Sequence, residues 1–258
     1  MSASSSDPSY AGSGESPSSV ILLAAPPPAS LWTGIALGAQ VGLRRLVRRS
    51  TWMAVFLGVA LTLVGAIIER RVSSVGAVDR ALHISVGIIL PLVVFALVAG
   101  VTGRAPLRDA CWSVARFGAA RRDVALGIVA STAAVAVGVS LLIVIAAVVA
   151  AHSPASPPLV RDALTSAWIG ALTGAAYAGW FTFGATIFAR GGGRYIPLAI
   201  DLVLGGSGGL VGAVLPRGNA QNLLGGIPAF GLSQPASAVI LLVSAVVLGL
   251  AAGFRCRD

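Results

Sequence analysis

Lysine is absent: all 18 basic residues of the 258-residue chain are arginine. A P-loop sets a lysine on the terminal phosphates of its nucleotide, and a Schiff-base enzyme needs a lysine amine, so neither chemistry can be built within this chain. Any ATP must be bound elsewhere. Acidic residues number nine, histidines two and cysteines two. These are too few and too dispersed for a metal constellation. Ser207 sits between Gly206 and Gly208, the setting of a nucleophile in an intramembrane serine protease. The only histidines, His83 and His152, lie upstream at expected outer boundaries, so the serine has no general base. The chain reads as a non-enzyme without a cofactor of its own.

Charge of either sign is scarce at 10% of residues, while 56% are hydrophobic and the mean hydropathy is +0.90. No ordinary soluble domain has that balance. Apolar blocks near 52–69, 82–101, 125–150, 164–189, 196–215 and 236–254 each approach the roughly 20 residues that a helix needs to cross a hydrocarbon core of about 30 Å. The expected fold is all-α, a membrane bundle of six transmembrane helices over residues 31–258. Residues 1–30, rich in Ser, Pro and Gly, read as a disordered tail. The run Ser18–Ala25 has no basic flank and is too short for a secretory signal.

The net charge of +9 does not suggest nucleic acid, because the arginines flank the apolar blocks instead of gathering on one face among aromatics. Anionic lipid heads are the expected contact. With a cytoplasmic amino terminus, Arg44, Arg45, Arg48, Arg49, Arg104, Arg108, Arg116, Arg121, Arg122, Arg190, Arg194, Arg255 and Arg257 face inward. Arg70, Arg71, Arg80, Arg161 and Arg217 face outward. That asymmetry is the positive-inside pattern, with both termini cytoplasmic. Cys111 and Cys256 then lie on the reducing side, and no disulfide is expected.

Individual segments carry further expectations. Leu31 to Leu46 mixes apolar and small residues before an arginine cluster and reads as an interfacial helix. In the loop 102–123, Leu107, Cys111, Val114 and Phe117 recur at helical spacing among polar residues. That periodicity fits a helix docking a cytoplasmic partner and equally one lying on the membrane around Trp112. Gly170, Gly174 and Ala178 form a small-residue stripe for close helix packing. Tyr177, Trp180 and Phe181 on the same block are ordinary packing residues or the lining of a path for an apolar substrate. Asp201 is a buried carboxylate in a span, with Arg194 and Arg190 as its expected partners. Gly205, Gly206, Gly208 and Gly209 should break or kink that span. The turn-rich stretch 215–237 is too interrupted to cross and suits a re-entrant outer segment.

This layout resembles the permease subunits of ABC-2 type transporters over about residues 31–258: interfacial helix, six spans, a helical loop after the second span and a semi-apolar outer segment before the sixth. The resemblance implies a bacterial plasma-membrane protein that pairs with a second permease subunit, homo- or heterodimeric. A cytoplasmic ABC ATPase subunit would bind the ATP. It makes Ala105 to Arg122 the coupling helix, with Arg108, Asp109, Trp112 and Arg116 as contacts. The implied cargo is a lipid, a hydrophobic small molecule or a peptide. The rival is an ATP-independent protein, a secondary carrier or assembly factor, for which Asp201 is the sole clear ion-coupling candidate.

Overall fold

A computed structural model describes residues 30–116, 118–154, 156–188 and 191–256. The expected tail over 1–29, Phe117 of the loop pattern, and Arg190 and Arg257 of the charge pattern lie outside the described residues. Every regular element among the described residues is helical. The chain runs α1 (Leu31–Leu46), α2 (Arg49–Val72), α3 (Ala77–Ile84), a π-helical turn (Ser85–Ile89), α4 (Leu90–Thr102), α5 (Leu107–Ala115) and α6 (Arg121–Ala151). It continues through α7 (Leu159–Gly184), α8 (Tyr195–Leu204), α9 (Leu210–Val214), α10 (Pro216–Leu223) and α11 (Gln234–Phe254).

Four stretches are long and apolar enough to cross a membrane: Arg49–Val72, Ala77–Ala115, Arg121–Ala151 and Gln234–Phe254. The second joins α3, the π-turn and α4, then bends at Gly103, whose φ of 65° only glycine adopts without strain, before α5 begins behind Pro106. Local chemistry sets other ends. Ser30 and Ser233 cap α1 and α11 by accepting from the amides of Thr33 and Ala236. Outward-facing Phe56, Leu57, Leu61, Val64 and Ile68 on α2, and Leu242, Val243, Val246 and Leu250 on α11, leave apolar faces that water would not favour and lipid would.

Helices pack where small residues let backbones meet. The stripe on α7 does so against α6: a methyl at Gly170 would strike Val144, and one at Gly174 would strike Ser140. On its other side Gly179 abuts the carbonyl of Ala245 on α11. Although α7 has 26 residues, it does not join the four apolar stretches, because Gly, Thr and aromatic residues fill its buried faces in place of aliphatic side chains.

The segment 31–46 is a helix, as expected, and it packs closely on the bundle: Gly34, Gly38 and Gly42 press on Asp123, Val124 and Ser131 of α6, and Gly127 returns the fit against the carbonyl of Ile35. Glycines at four-residue intervals on α1, met by Gly127 on α6, leave no side chain to hold the two helices apart. The block 196–215 is not one continuous helix, and it breaks at the glycine run where a break is expected. α8 is 10 residues, about 15 Å, and the chain then breaks through Gly205–Gly209 into the five-residue α9 and eight-residue α10. The corner is tight because Gly218 stacks on the carbonyls of Gly212 and Gly205.

Candidate functional site

The break in helix exposes the backbone ends of α8 and α10, and a carboxylate resolves the problem. The first amides of a helix have no partner within it and carry the positive end of its dipole. Asp201, fully buried on α8, accepts at Oδ1 from the amide of Arg217 in the first turn of α10, at 3.2 Å. Its Oδ2 accepts from the hydroxyl of Tyr177 on α7 at 2.8 Å. The Arg217 guanidinium closes the corner by donating from Nη1 to the carbonyl of Leu202 at 2.9 Å. Asn219 donates from Nδ2 to the carbonyls of Ala213 and Leu215, at 2.8 and 2.9 Å.

The expected partner Arg194 is instead turned away. It sits two helical turns earlier, almost fully buried, and donates from Nη1 to Thr102 Oγ1 at 2.6 Å. Seven residues of helix are about 10 Å, too far for a shared contact on that axis. Sequence reasoning missed Arg217, which it counts as an outer loop charge, because its approach to Asp201 depends on the fold between them.

Beside this corner lies a cavity of about 260 Å³ lined by His83, Ser207, Gln221, Ile227 and the backbone of Gly205 to Gly208. His83 reaches it from α3, where a methyl at Gly226 would touch its ring. Gly87, inside the π-turn, leaves room for the Arg217 guanidinium and the Gln221 amide, which a methyl there would meet at 3.4 and 3.2 Å. Single π-turns within α-helices often mark functional positions. Among the described residues, Arg217 Nε and Asn219 Oδ1 are buried without a hydrogen-bond partner. The arrangement offers a buried acid, a hydroxyl, a guanidinium with an unused donor and a polar space next to them. It is suited to holding a small polar group or relaying a proton.

The three aromatics on α7 take different places. Tyr177 and Phe181 are fully buried and stacked, with ring centroids 5.6 Å apart, and Phe181 meets Phe95 edge-on at 5.7 Å. Trp180 is half-buried and donates from Nε1 to the carbonyl of Pro197 on α8 at 3.3 Å.

A second place of interest is α5. Leu107, Ala110 and Cys111 face inward, while Arg108, Asp109, Trp112 and Arg116 lie on the exposed side, as the periodicity predicts. Arg121 covers the Trp112 ring at 4.4 Å. Arginines fasten this end of the bundle: Arg45 donates to the carbonyls of Val101 and Ala110 at 3.0 and 3.1 Å, and Arg255 lies over Phe183. The far end is held by Arg80 on Glu69 at 2.7 Å and by Ser153 on the Ser74 carbonyl. No group of three or more metal-binding side chains occurs among the described residues. No protein-family model, curated protein or solved structure matches the chain.

Proposed function

We propose that this chain is the membrane-spanning permease subunit of an ABC transporter in the bacterial plasma membrane. A separate cytoplasmic ATPase would bind and hydrolyse the ATP. The observation that carries a transport role is the broken helix at Asp201. Two half-helices meet at a buried carboxylate beside a polar cavity, a costly arrangement in lipid that transporters use to bind and release cargo.

On this reading the chain crosses six times, through α2, α3–α4, α6, α7, the α8–α10 pair and α11, with residues 31–258 as one domain. A cavity walled by Arg108 and Asp109 of α5 together with Arg255 and Cys256 past α11 puts these points at one end of the bundle and supports an even number of crossings between them, which requires the broken pair to cross. The α9–α10 corner is then a re-entrant device at depth. Both termini and α5 face the cytoplasm, where most arginines meet anionic lipid. Arg108, Asp109, Trp112 and Arg116 form the surface for the ATPase, and a second permease subunit completes the path. Tyr177, Trp180 and Phe181 flank that path for a lipid, hydrophobic small molecule or peptide. The absence of lysine agrees with a motor on another chain.

A second reading, an ion-coupled carrier, is favoured by Asp201 itself, a fully buried carboxylate next to a cavity lined by polar side chains. Reconstitution separates the two. Transport in vesicles that needs ATP and the co-purified ATPase, and is lost in the Arg108→Ala, Trp112→Ala double variant, supports the permease. Transport that follows a proton gradient without nucleotide and is abolished by Asp201→Asn overturns it in favour of the carrier.

A further inference from the structure

At the arginine-rich end of the bundle lies a buried cation, Arg194, whose charge has no acidic partner among the described residues. The side chain is 5% exposed and donates from Nη1 to the hydroxyl of Thr102 at 2.6 Å, and Thr102 in turn donates to the Val98 carbonyl at 2.9 Å. Its Nε has no hydrogen-bond partner. A buried charge left unpaired is costly, so an anion is its natural complement. Arg194 lines a cavity of about 590 Å³ between the start of α5 and the start of α8, and Arg104, Asp109 and Tyr195 share its walls. Those three residues are exposed, so the cavity opens at the surface. Its walls are pinned together: a methyl at Gly191 would strike the carbonyl of Ala105, and one at Gly193 the carbonyl of Gly184.

We propose that this cavity binds the phosphodiester headgroup of an anionic phospholipid, held between Arg194 and Arg104. The charge balance selects that class. Two guanidiniums against the Asp109 carboxylate leave one positive charge in excess, which a headgroup of one net negative charge balances and a zwitterionic headgroup does not. Phosphodiester oxygens accept from the guanidinium donors, and a glycerol headgroup has hydroxyls to donate to Asp109. The surroundings point to a lipid and not to a free ion. Tyr195, 55% exposed and packed on Phe95 with ring centroids 5.1 Å apart, is an aromatic of the kind that sits at headgroup level. Directly beyond it Ile196, Ile200 and Val203 recur at helical spacing on α8, all exposed, and give the acyl chains an apolar track that starts at the cavity. Bound there, the lipid ties the turn before α5 to the start of α8. This is one defined site, distinct from the diffuse attraction of exposed arginines such as Arg44 to an anionic surface.

The site requires a bilayer around the chain but is independent of the cargo and of any ATPase, and its test needs no transport assay. The full chain, purified in detergent and stripped of lipid, is titrated with phosphatidylglycerol or phosphatidylethanolamine and read by native mass spectrometry, with the melting temperature as a second readout. The expected result is one phosphatidylglycerol retained at lower concentration than any further copy, and a melting temperature that rises with it. Arg104→Gln should weaken that first binding roughly fivefold, and Arg194→Gln on the order of tenfold or more, because a charge-assisted hydrogen bond from a buried group is stronger than one at the surface. Arg44→Gln removes the same charge from the end of α1, outside the cavity, and should bind as the wild type does. Because Arg104 is exposed, its variant keeps the test decisive if Arg194→Gln does not fold. Inorganic phosphate should not displace the lipid. Equal binding of phosphatidylethanolamine, unchanged binding in either folded cavity variant, an equal loss in Arg44→Gln, or displacement by inorganic phosphate at matched concentration would each overturn the proposal.

Discussion

Asp201 governs how α10 begins, and its substitution separates charge from hydrogen bonding. Alanine at 201 leaves the Tyr177 hydroxyl and the Arg217 amide facing a buried void, and each abandoned donor costs on the order of 1–3 kcal/mol. Asparagine keeps one carbonyl oxygen as acceptor and should cost less. Tyr177→Phe removes one donor and leaves the carboxylate on the α10 amide, a loss on the order of 1 kcal/mol. The expected order of thermal stability in detergent is therefore wild type, Tyr177→Phe, Asp201→Asn, Asp201→Ala. An alanine variant that melts with the wild type would remove the capping role. That Asp201 is exceptional is legible in the sequence, since a lone acid in an apolar block needs a reason. Its partners are not, because a sequence offers neighbours along the chain, and Tyr177 and Arg217 reach the carboxylate from other helices.

At the scale of elements, the glycines divide into those that packing requires and those it does not. A methyl at Gly38 would run into the Val124 carbonyl, and one at Gly127 into the Ile35 carbonyl, both backbone atoms that cannot turn aside. Gly38→Leu or Gly127→Leu should push α1 off α6 at a cost of about 1–3 kcal/mol, or more. The check is proteolysis after Arg44 and Arg45, which should become faster while the rest of the bundle stays protected. Gly65 on α2 and Gly138 on α6 have open space where their methyls would go. Alanine there should be neutral or stabilising by up to about 1 kcal/mol, since glycine is the poorer helix former. Equal sensitivity at all four positions would refute the packing account. The stripe on α7 is readable because it lies in an obvious apolar block. The one on α1 escapes notice for a physical reason: apolar periodicity in Leu31–Leu46 signals an amphipathic surface, and only the four-residue interval of Gly34, Gly38 and Gly42 reports the partner helix. The glycine run after α8 announces a break, but the return of α10 to cap itself on Asp201 depends on tertiary contact.

For the whole molecule the decisive quantity is the parity of crossings. Arg108 and Asp109 of α5 and residue 256 wall one cavity at one end of the bundle, and α6, α7 and α11 are three long helices between them. Three passages would leave the two points on opposite faces, so in the proposed topology the α8–α10 pair supplies a fourth, although neither half is long enough to cross alone. Apolar runs locate long helices but cannot distinguish an unbroken span from two half-helices meeting at a charge, since both read as a continuous hydrophobic block. A cysteine-free version of the chain carrying single cysteines at exposed positions tests the whole arrangement. Ser113→Cys on α5 should resist a membrane-impermeant maleimide in intact cells and react once the membrane is opened, whereas Ser74→Cys, after α2, should react from outside. Phe230→Cys, in the exposed turn before α11, gives the critical reading. It should label from outside together with Ser74→Cys, because the broken pair carries the chain back across before α11 returns it. Labelling of position 230 only after the membrane is opened would mean that α8 and α10 turn back on the cytoplasmic side, and the even count would fail with them.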